Sequence, residues 1–84
     1  MSRTGPDRQP VPVTCGANGH PVTLRWRGRA WRIEAVLNHW RADTQWWDTP
    51  VQRDYYKVAL EGGGMLLLVH DHTAAAWFVR RVYA

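Results

Sequence analysis

Cysteine is nearly absent: Cys15 is the single thiol in 84 residues. One thiol closes no internal disulfide and builds no all-cysteine metal site. That excludes a disulfide-stapled secreted scaffold and suits a reducing, cytoplasmic compartment. Long apolar runs are missing as well. No segment approaches the ~20 apolar residues that cross a bilayer, and the opening "MSRTGPDRQPVPV" lacks the apolar stretch of a signal peptide. Acidic groups number only seven, and none stands in a recognisable catalytic pair. Lysine is scarcer still, since ten of the eleven basic residues are arginine and the formal net charge is +4. Such a balance suits nucleic acid or an acidic protein surface, and equally a plain solvated face.

Tryptophan is what the chain has in quantity. There are six, with three tyrosines and one phenylalanine. A domain this small hides a modest share of its surface, and each ring buries roughly 150–250 Å². A few rings therefore replace the larger aliphatic core that the chain lacks.

Residues 1–10 are polar and rich in Pro, Gly and Arg, which predicts a disordered tail ahead of a single domain over residues 11–84. Alternation begins at "VTLRWR", with Val22, Leu24 and Trp26 on one side and Thr23, Arg25 and Arg27 on the other. Gly28 turns the chain, and Trp31 and Ile33 then alternate with Arg32 and Glu34. This is a hairpin with one wet and one dry face. Over "IEAVLNHWRAD", Ile33, Val36, Leu37 and Trp40 also fit one helical face. No Ser, Thr, Asp or Asn stands where an N-cap belongs, so a long strand with a bulge near Asn38–His39 is favoured. "RDYYKVALE" alternates again, "EGGGM" is a hairpin connection, "MLLLVH" suits a central strand covered on both sides, and "WFVRRVYA" is the last strand. The expectation is all-β: a small antiparallel meander of five to six strands, closed in part like an SH3-type barrel.

Chemistry is sparse in this pattern. His70 and His72 share a strand face in "HDH", but Asp71 points away from them and no third ligand stands at a recognisable spacing. The pair reads as a polar hairpin end. His20 and His39 show no partner, and Cys15 has no catalytic signature around it. "GGG" at 62–64 lacks the Lys and Ser/Thr of a phosphate-binding loop. These observations predict a non-enzyme with no cofactor, no metal, no membrane and no small-molecule substrate.

Binding is the remaining class. On the hairpin, Arg25, Arg27 and Arg32 share the exposed face, with Arg29 beside the turn. Small barrels hold single strands with arginines on phosphates and rings on bases, yet Trp26 and Trp31 lie opposite these arginines and read as core. Neighbours on an extended chain point to opposite sides. Each pair in "QWWDTPVQRDYYK" therefore sends one ring in and one out, which leaves Trp46 or Trp47, and Tyr55, facing water.

The succession "WWD … RDYYKV … WFV … VYA" resembles the C-terminal segment of ImuB, the Y-family polymerase-like protein of bacterial mutasomes. It is also similar to small stand-alone bacterial domains of unknown function that carry the same motifs and the "RWRGRAWRI" hairpin. The matching residues are Trp46, Trp47, Asp48, Arg53, Asp54, Tyr55, Tyr56, Trp77, Phe78, Val79, Tyr83 and Ala84. The chain departs where ImuB-like tails carry a His-Gly pair, having Arg80 and Arg81 there. The resemblance implies a non-catalytic adaptor near translesion synthesis or the DNA damage response. It would dock on a DNA-repair or replication protein through Trp46, Trp47, Asp48, Arg53 and Tyr55, since Trp, Tyr and Arg are enriched at interface hot spots. DNA itself, held by Arg25, Arg27, Arg29 and Arg32, is the second candidate partner.

Overall fold

A computed structural model describes residues 9–46 and 49–83, with the side chains of residues 43–46 and 49–51 left aside. The expected tail at 1–10 lies mostly outside the described residues, and Gln9 and Pro10 are exposed. Six strands follow in a meander: β1 (Val13–Cys15), β2 (Pro21–Trp26), β3 (Arg29–Trp46), β4 (Thr49–Leu60), β5 (Met65–Asp71) and β6 (Ala76–Tyr83). Each pairs antiparallel with the next, in the order 1-2-3-4-5-6. The sheet curls into a half-barrel. Its open seam is bridged where Val11 N–H donates to the Trp77 carbonyl (2.8 Å) and Arg25 N–H to the Pro12 carbonyl (3.0 Å). Among the described residues there is no helix, hence none long and apolar enough to cross a membrane.

The β2–β3 turn is a two-residue loop, with Trp26 opposite Arg29. Arg27 (φ 55°) and Gly28 (φ 78°) are both left-handed, as a type I′ hairpin turn requires. Residues 33–42 are strand throughout, and the helical spacing noted there has a specific cause. Register shifts fall between Ile33 and Ala35 and between Val36 and Asn38, rather than at Asn38–His39, so Glu34 and Leu37 are the extra residues. Each insertion reverses which side faces in. Ile33, Val36 and His39 therefore stand opposite Leu60, Val58 and Tyr56, and a three-residue spacing imitates a helix. Leu37, displaced by its bulge, is 51% exposed.

The inner face carries the core. Leu24, Ile33, Tyr56, Val58, Leu60, Leu66, Leu68 and Val79 are buried together, with Trp26, Trp31, Val36 and Trp77 packed at the edges. Val22, expected on this dry face, is exposed instead. On the outer face Val69 is also buried, flanked by its cross-strand neighbours Tyr55 and Phe78, so β5 is covered on both sides as expected. Beyond Arg53, which pairs with the end of β5, the β3–β4 hairpin runs on as a two-stranded ribbon from Asp43 opposite Gln52 to Trp46 opposite Thr49. Pro50 is tolerated there because a ribbon strand has a free edge.

Leu68→Ala, at a fully buried site, is expected to cost about 2–5 kcal/mol. Leu37→Ala should stay within about 0.5 kcal/mol, as exposed substitutions do. Denaturant titration of both variants checks the assignment of faces, and equal losses would refute it.

Candidate functional site

On β4, Asp54 has the same parity as Tyr56, Val58 and Leu60, and it is the charged residue among the buried set, 5% exposed. A carboxylate on an apolar face needs partners, and the register supplies them. One cross-strand row reads Arg41, Asp54, His70, Trp77, and the next reads His39, Tyr56, Leu68, Val79. Asp54 Oδ1 accepts from His39 Nε2 (3.1 Å) and Arg41 Nε (3.4 Å), while Oδ2 accepts from His72 Nε2 (2.5 Å). His72 reaches the site because its own N–H donates to the Gln52 carbonyl (3.0 Å), which extends the β4–β5 ladder past the end of β5.

Aromatic stacking completes the cluster. His39 lies flat on Tyr56 (4.2 Å, 4°), and His70 on Trp77 (4.3 Å, 4°). His20, entering from the β1–β2 turn, meets both His39 and Tyr56 edge-on. All four histidines of the chain thus gather around Asp54 and Tyr56. Burial opposes the charge on Asp54, but the bonds from His72, His39 and Arg41 outweigh it and bring its pKa down from 3.8 to about 2. Burial and the neighbouring His72 push the His70 imidazole below its ordinary value. Burial also raises the Tyr56 hydroxyl, helped by the Asp54 charge.

The sequence missed this convergence. His20 and His39 had no visible partner, and the histidine pair in "HDH" lacked a third ligand. That third group is Asp54, sixteen positions before His70 in the sequence and directly opposite it across the sheet. One donor atom each from Asp54, His70 and His72 lies within 4.8 Å of the others. The available signal was the parity of "RDYYKVAL", which puts an acid on the buried side. Asp71 does point away. It accepts from Arg53 Nε (3.3 Å) and caps the β5–β6 turn through the Thr73 and Ala74 N–H groups.

The arginines are redistributed relative to expectation. Arg25 and Arg32 do face outward, but Arg27 lies with its guanidinium over Trp26 (4.4 Å) and Arg29 with its own over Trp31 (4.2 Å). The left-handed turn swings Arg27 to the tryptophan side, and Arg29 shares that side by register with Trp26. Trp26 and Trp31 are half-buried rather than dry. Arg25 and Arg27 instead join Arg80 and Arg81 around a groove of about 620 Å³ at the barrel seam. A register shift between Leu67 and Leu68 leaves Arg80 as the extra residue on β6, and both neighbouring arginines line the groove. Trp26 and Val82, the latter 51% exposed, supply its apolar surface. No acidic side chain lines it among the described residues.

Of the residues expected at a protein interface, Trp47 and Asp48 lie outside the described residues and Trp46 is described only by its backbone. Tyr56 faces in and Tyr55 out, as alternation requires. Tyr55 is half-buried beneath a partner that sequence reasoning did not assign to the surface: Trp40, 41% exposed, stacks on it (5.5 Å, 4°). Arg53 is half-exposed beside them, paired with Asp71.

A family model described as a domain of unknown function, DUF6504, matches residues 6–84. The chain belongs to that family. Comparison with curated proteins and with solved structures returns no significant match. DUF6504 membership covers the whole half-barrel and names no activity, so function rests on the surfaces themselves.

Asp54 gives a prediction with a definite sign. Its folded pKa, about 2, lies below its unfolded value. The resulting stabilisation is present above about pH 4 and is lost as pH falls through about 2, and is worth on the order of 2–3 kcal/mol. Stability measured between those limits, with a chelator present, should fall steeply in the native chain and less steeply in Asp54→Asn. Parallel curves would contradict the arrangement.

Proposed function

We propose that this domain is a non-catalytic binding module which holds a single-stranded nucleic acid along the seam groove, in the service of the DNA damage response or translesion synthesis. The observation that carries the reading is the lining of that groove: Arg25, Arg27, Arg80 and Arg81 surround an indole, with no carboxylate lining it among the described residues. Arginine suits phosphate oxygens through its planar fork and stacks on bases. Arg27, with its guanidinium already over the Trp26 ring, is placed for both. The likeness to ImuB tails supports the association with DNA. Arg80 and Arg81, where this chain departs from those tails, are groove residues, so under this reading strand binding belongs to this chain rather than to the tails it resembles.

Phosphate contacts release counterions, and for single strands log K falls by about 0.7 per contact per log unit of salt. Four arginines therefore predict a slope of about −3. Anisotropy titration of a fluorescent oligothymidylate should show that slope, and Arg80→Glu with Arg81→Glu should remove binding while leaving the fold intact. Unchanged affinity in the double variant would dismiss the groove.

A second reading has its own observation. The exposed Trp40–Tyr55 stack on the outer face, with Arg53 beside it, is the composition of an interface hot spot for a DNA-repair or replication protein. Under this reading a partner captured from nuclease-treated extract is lost with Trp40→Ala and kept with Arg80→Glu plus Arg81→Glu. Capture that nuclease treatment abolishes, and that Arg80→Glu plus Arg81→Glu removes while Trp40→Ala spares it, would assign it to tethering by nucleic acid.

A further inference from the structure

We propose that Asp54, His70 and His72 form a site for one divalent ion of the zinc class, fastening β4 to the end of β5 and the turn that follows. The donor chemistry selects the ion. Two imidazoles and one carboxylate suit zinc and its first-row neighbours, whereas magnesium and calcium prefer sets made of oxygen alone. Bonds of about 2.0–2.2 Å to such ligands place neighbouring donors roughly 3–3.5 Å apart. The three donor atoms already lie within 4.8 Å of one another, so side-chain rotation closes the set without moving a strand. Asp54 and His70 are direct cross-strand partners, and the His72 backbone is tied to Gln52. The ligands therefore sit on fixed backbone.

The two oxygens of Asp54 are already divided between two tasks. Oδ1 is held by His39 and Arg41, while Oδ2 faces His72. An ion between Oδ2, His72 and His70 takes the place of the Asp54–His72 hydrogen bond and leaves the Oδ1 contacts intact. His39 then orients the carboxylate from behind, as outer-shell partners do in metal sites. The Trp77 ring beneath His70 fixes the plane of that imidazole. His72 lies at the surface, and its side chain is about a third exposed (35%), which leaves an entry path and room for a water ligand. Arg41 is the adverse charge, but it is 55% exposed and bound to the far oxygen, where solvent screens it. The site is separate from the arginine groove and stands or falls apart from it.

The test uses the full untagged chain, stripped with chelator and titrated with zinc chloride by calorimetry and with cobalt chloride by visible absorption. One ion per chain, a higher melting temperature on loading, and no competition from excess magnesium are expected. His70→Gln and His72→Gln should each weaken binding by at least about tenfold with circular dichroism unchanged, and Cys15→Ser should bind as the native chain does. Failure of the folded chain to take up zinc, native affinity in both histidine variants, or loss of binding in Cys15→Ser would overturn the proposal.

Discussion

The inner face of this half-barrel is organised around a buried carboxylate. Asp54 takes a core position on β4, and a lone charge there would be expelled or neutralised. It persists because the flanking strands deliver donors at matched register: His39 and Arg41 from β3, and His72 from just past β5. Those donors occupy these positions only because β3 carries two bulges. Without the insertions at Glu34 and Leu37, the inward parity set by Ile33 would still reach His39 and Arg41, but each would stand two positions out of register with β4. The bulges, the acid and the histidines form a single device.

That device splits the inner face into two zones of different chemistry. From Val58 to Leu60 on β4, and across to Leu24 and Leu66, the face is aliphatic and closed. From Tyr56 to Asp54 it becomes imidazole, indole and carboxylate, open at the edge where His72 and Arg41 meet solvent. Stacking makes the change gradual. His39 on Tyr56 and His70 on Trp77 bury their ring faces and keep their nitrogens free to bond. A polar network so well satisfied adds to specificity of register, since a slip of one residue would turn Asp54 outward and the histidines away from it.

Much of the fold was legible in the residues. Period-two alternation located β2, the start of β3, and β4, and the glycines at 28 and 62–64 marked turns that need positive φ. The middle of β3 was harder, because two bulges convert a strand's period into spacings that a helix shares. The site was almost illegible for a different reason. Its residues come from positions 20, 39, 41, 54, 70, 72 and 77, and only register joins them. Local spacing displayed two of these groups, in "HDH", whereas the third was hidden in a strand whose aromatic pair drew the eye. Of the arginines, Arg25 and Arg32 face outward as alternation requires, whereas Arg27 lies over Trp26 because alternation does not continue through a left-handed turn.

The seam accounts for why an arginine groove and a histidine cluster coexist in so short a chain. A six-stranded sheet that closed fully would pair its two edge strands along their length and leave no groove between them. Here closure is made by a few backbone bonds from the Val11–Pro12 segment. The groove opens beside that segment, where the β2–β3 turn approaches β6. The same segment pairs with Trp77, the ring on which His70 rests. Residues 9–12 line the groove, so a ligand held there would meet the segment that pairs with Trp77. Coupling between the two sites follows only if that segment has two arrangements whose balance each ligand shifts differently.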